Sequence, residues 1–248
     1  MLIYGINPVL EALTTGRVTT VRVAVRAAGR LADVVHAAAR AGVTVRYVSP
    51  GDLDRAARGG LHQGVVAELR EVGRFEVADL VAAARDIPLL VVLDGIEDPH
   101  NVGAIVRTVD AAGADGLIRQ SRHAAAIGGA AVKASAGAVA HVRIAEVVNI
   151  ARALDELKKA EIWTVGLAAG AETRYDQVDL AAPTALVVGA EGRGLRRLVR
   201  ERCDWLVSIP MRGHVESLNV SVATGVVLFE AVRQRERKGR PVPARRPA

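Results

Sequence analysis

Three segments of the chain place polar, hydrogen-bonding residues just where an apolar run stops. Residues 93 to 113, LDGIEDPHNVGAIVRTVDAAG, carry Asn101 and Arg107. Residues 187 to 197, VVGAEGRGLRR, carry Gly189 and Glu191, and residues 209 to 232, IPMRGHVESLNVSVATGVVLFEAV, carry Ser217 and Asn219. Arg107 stands among Val, Ala and Ile of a helical stretch, so it is expected to be at least half-buried and to need an anion, either a carboxylate or a phosphate. Asn101 and Ser217 are residue types that cap helix N-termini. Asn219, inside an apolar stretch, reads as a buried amide that must find partners. Glycine-rich turns can offer backbone amides to an anion, yet Glu191 would repel phosphate and favour a neutral or cationic ligand. The glycine spacing at 189, 192 and 194 is G-x-x-G-x-G, not the dinucleotide pattern, and it falls late in the chain rather than after a first strand.

Other chemistries find less support. His100, His141 and His214 have no companion His or Cys at metal-ligand spacing, so no metal is expected. Cys203 reads as structural rather than nucleophilic. Trp, Tyr and Phe make up only 3% of residues, which disfavours aromatic platforms as the main grip on nucleic-acid bases.

The elements that must position these residues alternate along the chain. Residues 21 to 25, 43 to 48 and 64 to 69 read as strands and 30 to 42 as a helix, giving a small α/β domain over 1–70. Residues 71–86 lose periodicity and read as a linker. Over 87–236, strands are expected at 88–93, 115–118, 140–144, 162–167, 184–189 and 205–210. Helices are expected at 102–113, 146–160 and 218–235. The unbroken run PLLVVL suits a strand buried on both faces, as in a parallel sheet covered by helices. Such doubly wound sheets bind ligands beyond the carboxyl ends of their strands.

The net charge of +6 suggests nucleic acid, but it is concentrated. Residues 233 to 248 hold seven of the 33 basic residues and one of the 27 acidic ones, leaving 26 of each elsewhere. The Pro-rich basic tail, 237–248, is expected to be disordered. A single cysteine, with no leader-like segment and no run near the ~20 apolar residues of a membrane helix, fits a cytoplasmic protein with no membrane partner.

The three segments together resemble the three signature motifs of the SpoU (TrmH) family of RNA ribose 2'-O-methyltransferases, in the SPOUT superfamily. D-P-H-N-V-G-A-I-V-R-T, G-A-E-G-R-G-L and I-P-M-x-G-x-V-E-S-L-N-V-S-V-A stand in order and spacing across residues 88 to 236. YGINPVLEAL and LHQGVVAEL in the N-terminal part resemble the substrate-binding domain of the 23S ribosomal RNA (guanosine-2'-O-)methyltransferase branch. The run K-A-S-A-G-A is also family-like, within an otherwise Ala-rich stretch over 117–144.

The resemblance implies a small N-terminal α/β RNA-binding domain followed by a SPOUT-type α/β domain with a parallel sheet and a deep trefoil knot. It implies S-adenosyl-L-methionine as methyl donor, held around Leu167, Gly189, Ile209, Met211 and Leu218. It also implies a homodimer through the knotted domain and a ribosomal RNA substrate; transfer RNA, or ribosomal RNA methylated for antibiotic resistance, is the alternative. By the same analogy Asn101, Arg107, Glu191, Ser217 and Asn219 form the catalytic constellation. Arg107 is the family's usual candidate for activating the hydroxyl. An arginine keeps its proton, however, with a reference pKa above about 12. Stabilising an alkoxide and gripping a phosphate are physically easier for it. A non-catalytic RNA-binding or ribosome-assembly module with this fold would be marked by loss of motif residues, and none is lost.

Overall fold

A computed structural model describes residues 2–14, 16–25, 29–69, 75–84, 87–122, 124–125 and 127–239. Of the expected tail, residues 240–248 lie outside this set.

Residues 2 to 69 form a four-stranded sheet from β1 (Leu2–Tyr4), β2 (Val18–Ala24), β3 (Thr44–Val48) and β4 (Val65–Leu69), in the order β1-β4-β2-β3. β4 is antiparallel to both neighbours, while β2 and β3 are parallel. Three helices accompany it, α1 (Ile6–Thr14), α2 (Arg30–Arg40) and α3 (Pro50–Ala57). α1 buries Val9, Ala12 and Leu13, and α2 buries Val34 and Ala38, the three-and-four spacing that gives a helix one apolar face.

Part of the segment expected as linker is helical. α4 (Val77–Ala82) is held at its start by reciprocal hydrogen bonds between Glu76 and Asp79, and it buries Val77 and Leu80. At six residues it is too short for periodicity to reveal; residues 71–74 and 85–86 lie outside the described set.

The remainder alternates strand and helix. In chain order it runs β5 (Leu89–Asp94), α5 (Pro99–Ala111), β6 (Gly116–Gln120), α6 (Gly129–Ala134), a 3-10 turn at Ala138–Ala140, β7 (Ile144–Val147) and α7 (Ile150–Lys159). It continues with β8 (Trp163–Leu167), β9 (Thr173–Arg174), β10 (Thr184–Gly189), α8 (Arg197–Arg202), β11 (Trp205–Ser208) and α9 (Val220–Arg237). The seven strands form one parallel sheet in the order β7-β6-β5-β10-β8-β11-β9.

The two faces explain the unbroken apolar run. Leu89, Val91 and Leu93 face a core shared with α5, α6 and α9, whereas Leu90 and Val92 face a second core made with α4, α7 and α8. Neither side of β5 meets water, so no polar alternation is tolerated. The strand expected at 140–144 is displaced: Ala140 ends the 3-10 turn and β7 begins at Ile144. Ala140 and Val142 are buried, but by packing rather than by strand pairing. Among the described residues no helix is long and apolar enough to cross a membrane.

Candidate active site

β8, β10 and β11 end at Leu167, Gly189 and Ser208, and beyond those ends lies a cavity of about 440 Å³. All five residues expected to hold the methyl donor, Leu167, Gly189, Ile209, Met211 and Leu218, are in its wall. Glu191, Glu216 and Ser217 also line it.

Backbone geometry requires glycine at positions 189, 192 and 194. A Cβ on Gly189 would overlap the backbone of Gly194 and Leu195, because the loop folds back over the strand end. Gly194 N donates to Ala190 O at 2.8 Å to close that fold. Gly192 and Gly194 have φ of 75° and 65°, a region side chains rarely adopt.

Asp94, which sequence reasoning passed over, anchors the same loop from below. It is the last residue of β5, opposite Gly189 in register, and is fully buried. It accepts hydrogen bonds from Arg196 N at 2.8 Å and Arg196 Nε at 2.7 Å. A carboxylate ending an otherwise apolar buried strand was the available signal, since such a charge requires a partner.

Asn101 does not cap α5. Asp98 does, accepting from His100 N at 2.8 Å with Pro99 in the first turn, and this leaves the buried amide of Asn101 free to face the loops. Asn101 Nδ2 donates to Glu191 Oε2 at 3.2 Å, and Asn101 Oδ1 accepts from Asn219 Nδ2 at 2.9 Å. Asn219 Nδ2 also lies 3.3 Å from Glu191 Oε1.

Ser217 is likewise not the cap of α9. Asn219 is, its Oδ1 accepting from Ser221 N at 2.9 Å and Ser221 Oγ at 2.6 Å, so it stands at the helix start rather than in an apolar interior. One side chain thus caps a helix with its oxygen and ties two loops together with its nitrogen.

Arg107 departs from expectation. It is exposed on α5 and has no hydrogen bond or ion pair among the described residues. The helix buries Val102, Ile105, Val106 and Val109, and Arg107 projects from the face those residues leave open. It lies about 9 Å along the helix axis from Asn101. The structure therefore joins Asn101, Glu191 and Asn219, puts Ser217 at the cavity, and leaves the Arg107 cation uncommitted.

Cys203 does not line the cavity. Burial, then the neighbouring Asp204 charge, pushes its thiol up to about 12, and its Sγ donates to Val199 O at 3.3 Å.

The cavity suits S-adenosylmethionine on chemical grounds. Its volume is within the ~300–1,000 Å³ range of small-molecule sites. Its wall is largely aliphatic and glycyl, with Glu191 and Glu216 the acidic groups available to a ligand that is cationic at sulfonium and amine. When bound, the donor supplies an electrophilic methyl group.

Comparison with known proteins supports S-adenosylmethionine as the cofactor. Residues 88–229 match the SpoU rRNA Methylase family, and residues 2–74 match the domain described as RNA 2'-O ribose methyltransferase substrate binding. The chain is 44% identical to the 23S rRNA (guanosine-2'-O-)-methyltransferase RlmB of Photorhabdus laumondii, covering 94% of this chain and 98% of that protein. It is 46% identical to RlmB of Xylella fastidiosa, covering 94% and 96%. Among solved structures, the SpoU methyltransferase AviRb of Streptomyces viridochromogenes in complex with AdoMet superposes with a TM-score of 0.82 at 29% identity, covering 95% of this chain and 90% of that one. The chain belongs to the SpoU rRNA methylase family, the S-adenosylmethionine-dependent RNA ribose 2'-O-methyltransferases of the SPOUT superfamily.

Proposed function

We propose that this enzyme methylates the 2'-hydroxyl of a guanosine in 23S ribosomal RNA, in the cytoplasm. The observation that carries the site is the Asn101–Glu191–Asn219 network beside the cavity, with Arg107 uncommitted on the same helix as Asn101. The target follows the relatives named for it, which align over both domains.

In this reading Leu167, Gly189, Ile209, Met211 and Leu218 hold the donor. Asn101, Glu191 and Asn219 fix the loops around it, and Ser217 positions RNA or donor. Arg107 grips the phosphate beside the target ribose and stabilises the 2'-oxygen as its proton leaves. In-line attack on a methyl group asks mainly for alignment, and orientation can supply up to roughly 7–11 kcal/mol of the barrier.

The reading also takes residues 1–70 as the RNA grip, a trefoil knot around the cavity, and a homodimer. The dimer is supported by Val222 and Phe229, 52% and 50% exposed and seven residues apart on one face of α9. Sedimentation at micromolar concentration should give twice the chain mass.

The decisive experiment incubates the protein with labelled S-adenosylmethionine and protein-free 23S, 16S or transfer RNA, then maps 2'-O-methyl groups. One modified guanosine in 23S RNA is expected. Labelling of transfer RNA alone would replace the substrate, and donor binding without transfer to any RNA would overturn the activity.

A further inference from the structure

The two parts of the chain meet through a segment that lies beside α5. At the end of β1, the Tyr4 ring sits between two glycines from different domains. A Cβ on Gly60 would run into its hydroxyl and Cε2 edge, and a Cβ on Gly129 into its hydroxyl and Cε1 edge. Gly129 is the first residue of α6. Further along, a Cβ on Gly137 would strike the side chain of Glu11 from α1. Glu11 pairs with His141 at 3.3 Å, and Arg17 Nη1 donates to Ala140 O at 2.5 Å.

The same segment is locked onto the helix that carries the site. A Cβ on Gly103 of α5 would collide with Ala131 O and Ala134 Cβ of α6. Gly103 is one helical turn before Arg107 on the same stripe and two residues after Asn101. Apolar side chains from both parts of the chain, including Ile3 of β1, Val9 of α1, Leu89 of β5 and Val106 of α5, belong to one continuous core. The docking is therefore close-packed, a condition in which displacement of one element shifts its neighbours.

We propose that Tyr4 is a positioning residue for methyl transfer. Held between Gly60 and Gly129, it sets the register of the substrate-binding domain against α6, and through Gly103 against α5, so that RNA gripped by one domain presents its ribose at the right distance from the other. This rests on the proposed function. Tyr4 does not line the donor cavity and is not part of the Asn101–Glu191–Asn219 network, so its loss should change geometry rather than affinity. Misplacement by about 1 Å can cost on the order of a hundredfold in rate.

The test compares wild type with Tyr4→Ala, Tyr4→Phe and Gly129→Ala, using full-length protein and protein-free 23S ribosomal RNA. S-adenosylmethionine affinity is measured by calorimetry, RNA affinity by filter binding, and methyl transfer by single-turnover kinetics. Tyr4→Ala and Gly129→Ala are expected to keep both affinities within about twofold while the transfer rate falls on the order of ten- to a hundredfold. Tyr4→Phe, which keeps the wedge, should stay near the wild-type rate. An unchanged rate in both disruptive variants would overturn the inference. So would a donor affinity falling in step with the rate, which marks general unfolding, or an RNA affinity doing so, which marks a binding role. A wild-type protein inactive on every RNA would instead overturn the proposed function, and this inference with it.

Discussion

Asn219 donates from Nδ2 to Oδ1 of Asn101 across 2.9 Å, although 118 residues separate them in sequence. The contact fastens the start of α9 to the first turn of α5, and Glu191 closes the triangle with both amides. Two functions of one side chain can be separated here. Asn219→Ser retains an oxygen able to cap α9 but loses the amide donor. Stability to urea should fall by about 0.5–1.5 kcal/mol, from the lost amide hydrogen bonds alone, because Ser and Asn cap comparably. Methyl transfer should fall at least about tenfold, the equivalent of one charge-assisted hydrogen bond. Asn219→Ala should lose the same activity and a further ~0.5–2 kcal/mol of stability. Wild-type turnover by the Ser variant would mean that the amide serves only the helix cap.

Arg107 can be probed without disturbing the fold, because it is exposed and makes no partner contact among the described residues. Lysine keeps the charge but cannot reproduce a planar two-point grip on phosphate or alkoxide. Arg107→Lys should therefore lower single-turnover transfer on the order of a hundredfold, the scale of one lost transition-state donor. S-adenosylmethionine affinity should not change, as calorimetry would report. Full transfer by this variant would remove Arg107 from the site.

Asp94 makes the opposite kind of contribution, through the donor cavity rather than the RNA. Asp94→Asn neutralises a fully buried acceptor of two Arg196 hydrogen bonds. Hydrogen bonds to charged groups contribute about 1.5–3 kcal/mol. Arg196 is 53% exposed, so water replaces part of the loss and the lower end applies. The loop over Gly189 should loosen, and the donor Kd should rise about tenfold. An unchanged Kd would show that the loop holds its shape without this pair.

How far these relationships could be read beforehand depended on how local their causes are. β10 matches its expected span because the apolar run Ala185–Val188 lies within six consecutive residues that are all buried, which leaves little ambiguity. The start of α7 was misjudged because Val147 and Val148 look helical by spacing. In fact Val147 ends β7 and Asn149 caps the helix by accepting from Arg152 N at 3.2 Å. Asn101 and Ser217 were both plausible caps; only their neighbours Asp98 and Asn219, already bonded to the helix amides, decide against them. The triangle of Asn101, Glu191 and Asn219 joins three motifs distant in sequence, so periodicity could not have placed it. Arg107 was expected to be covered because its neighbours are apolar, but a helix has faces, and adjacency along the chain does not put residues on the same one.

Asp204 supplies a pH-dependent stability that is independent of the active site. Its carboxylate accepts from Thr164 N at 2.8 Å and Thr164 Oγ1 at 2.6 Å, and pairs with Lys158 at 2.9 Å, tying β11 to β8 and α7. Burial raises its pKa, but the Lys158 and Thr164 hydrogen bonds and the Lys158 charge outweigh that, leaving it below the ordinary carboxylate value. A group with a depressed folded pKa binds fewer protons folded than unfolded. Its stabilisation is present above the unfolded pKa of about 3.9 and is lost as pH falls through the lower folded value. Asp204→Asn should therefore cost about 1–2 kcal/mol near pH 7, measured by urea unfolding, and progressively less below about pH 4. A difference that stays constant down to the acid limit would assign the contribution to shape rather than charge, because a protonated Asp204 and an asparagine would then no longer converge in stability.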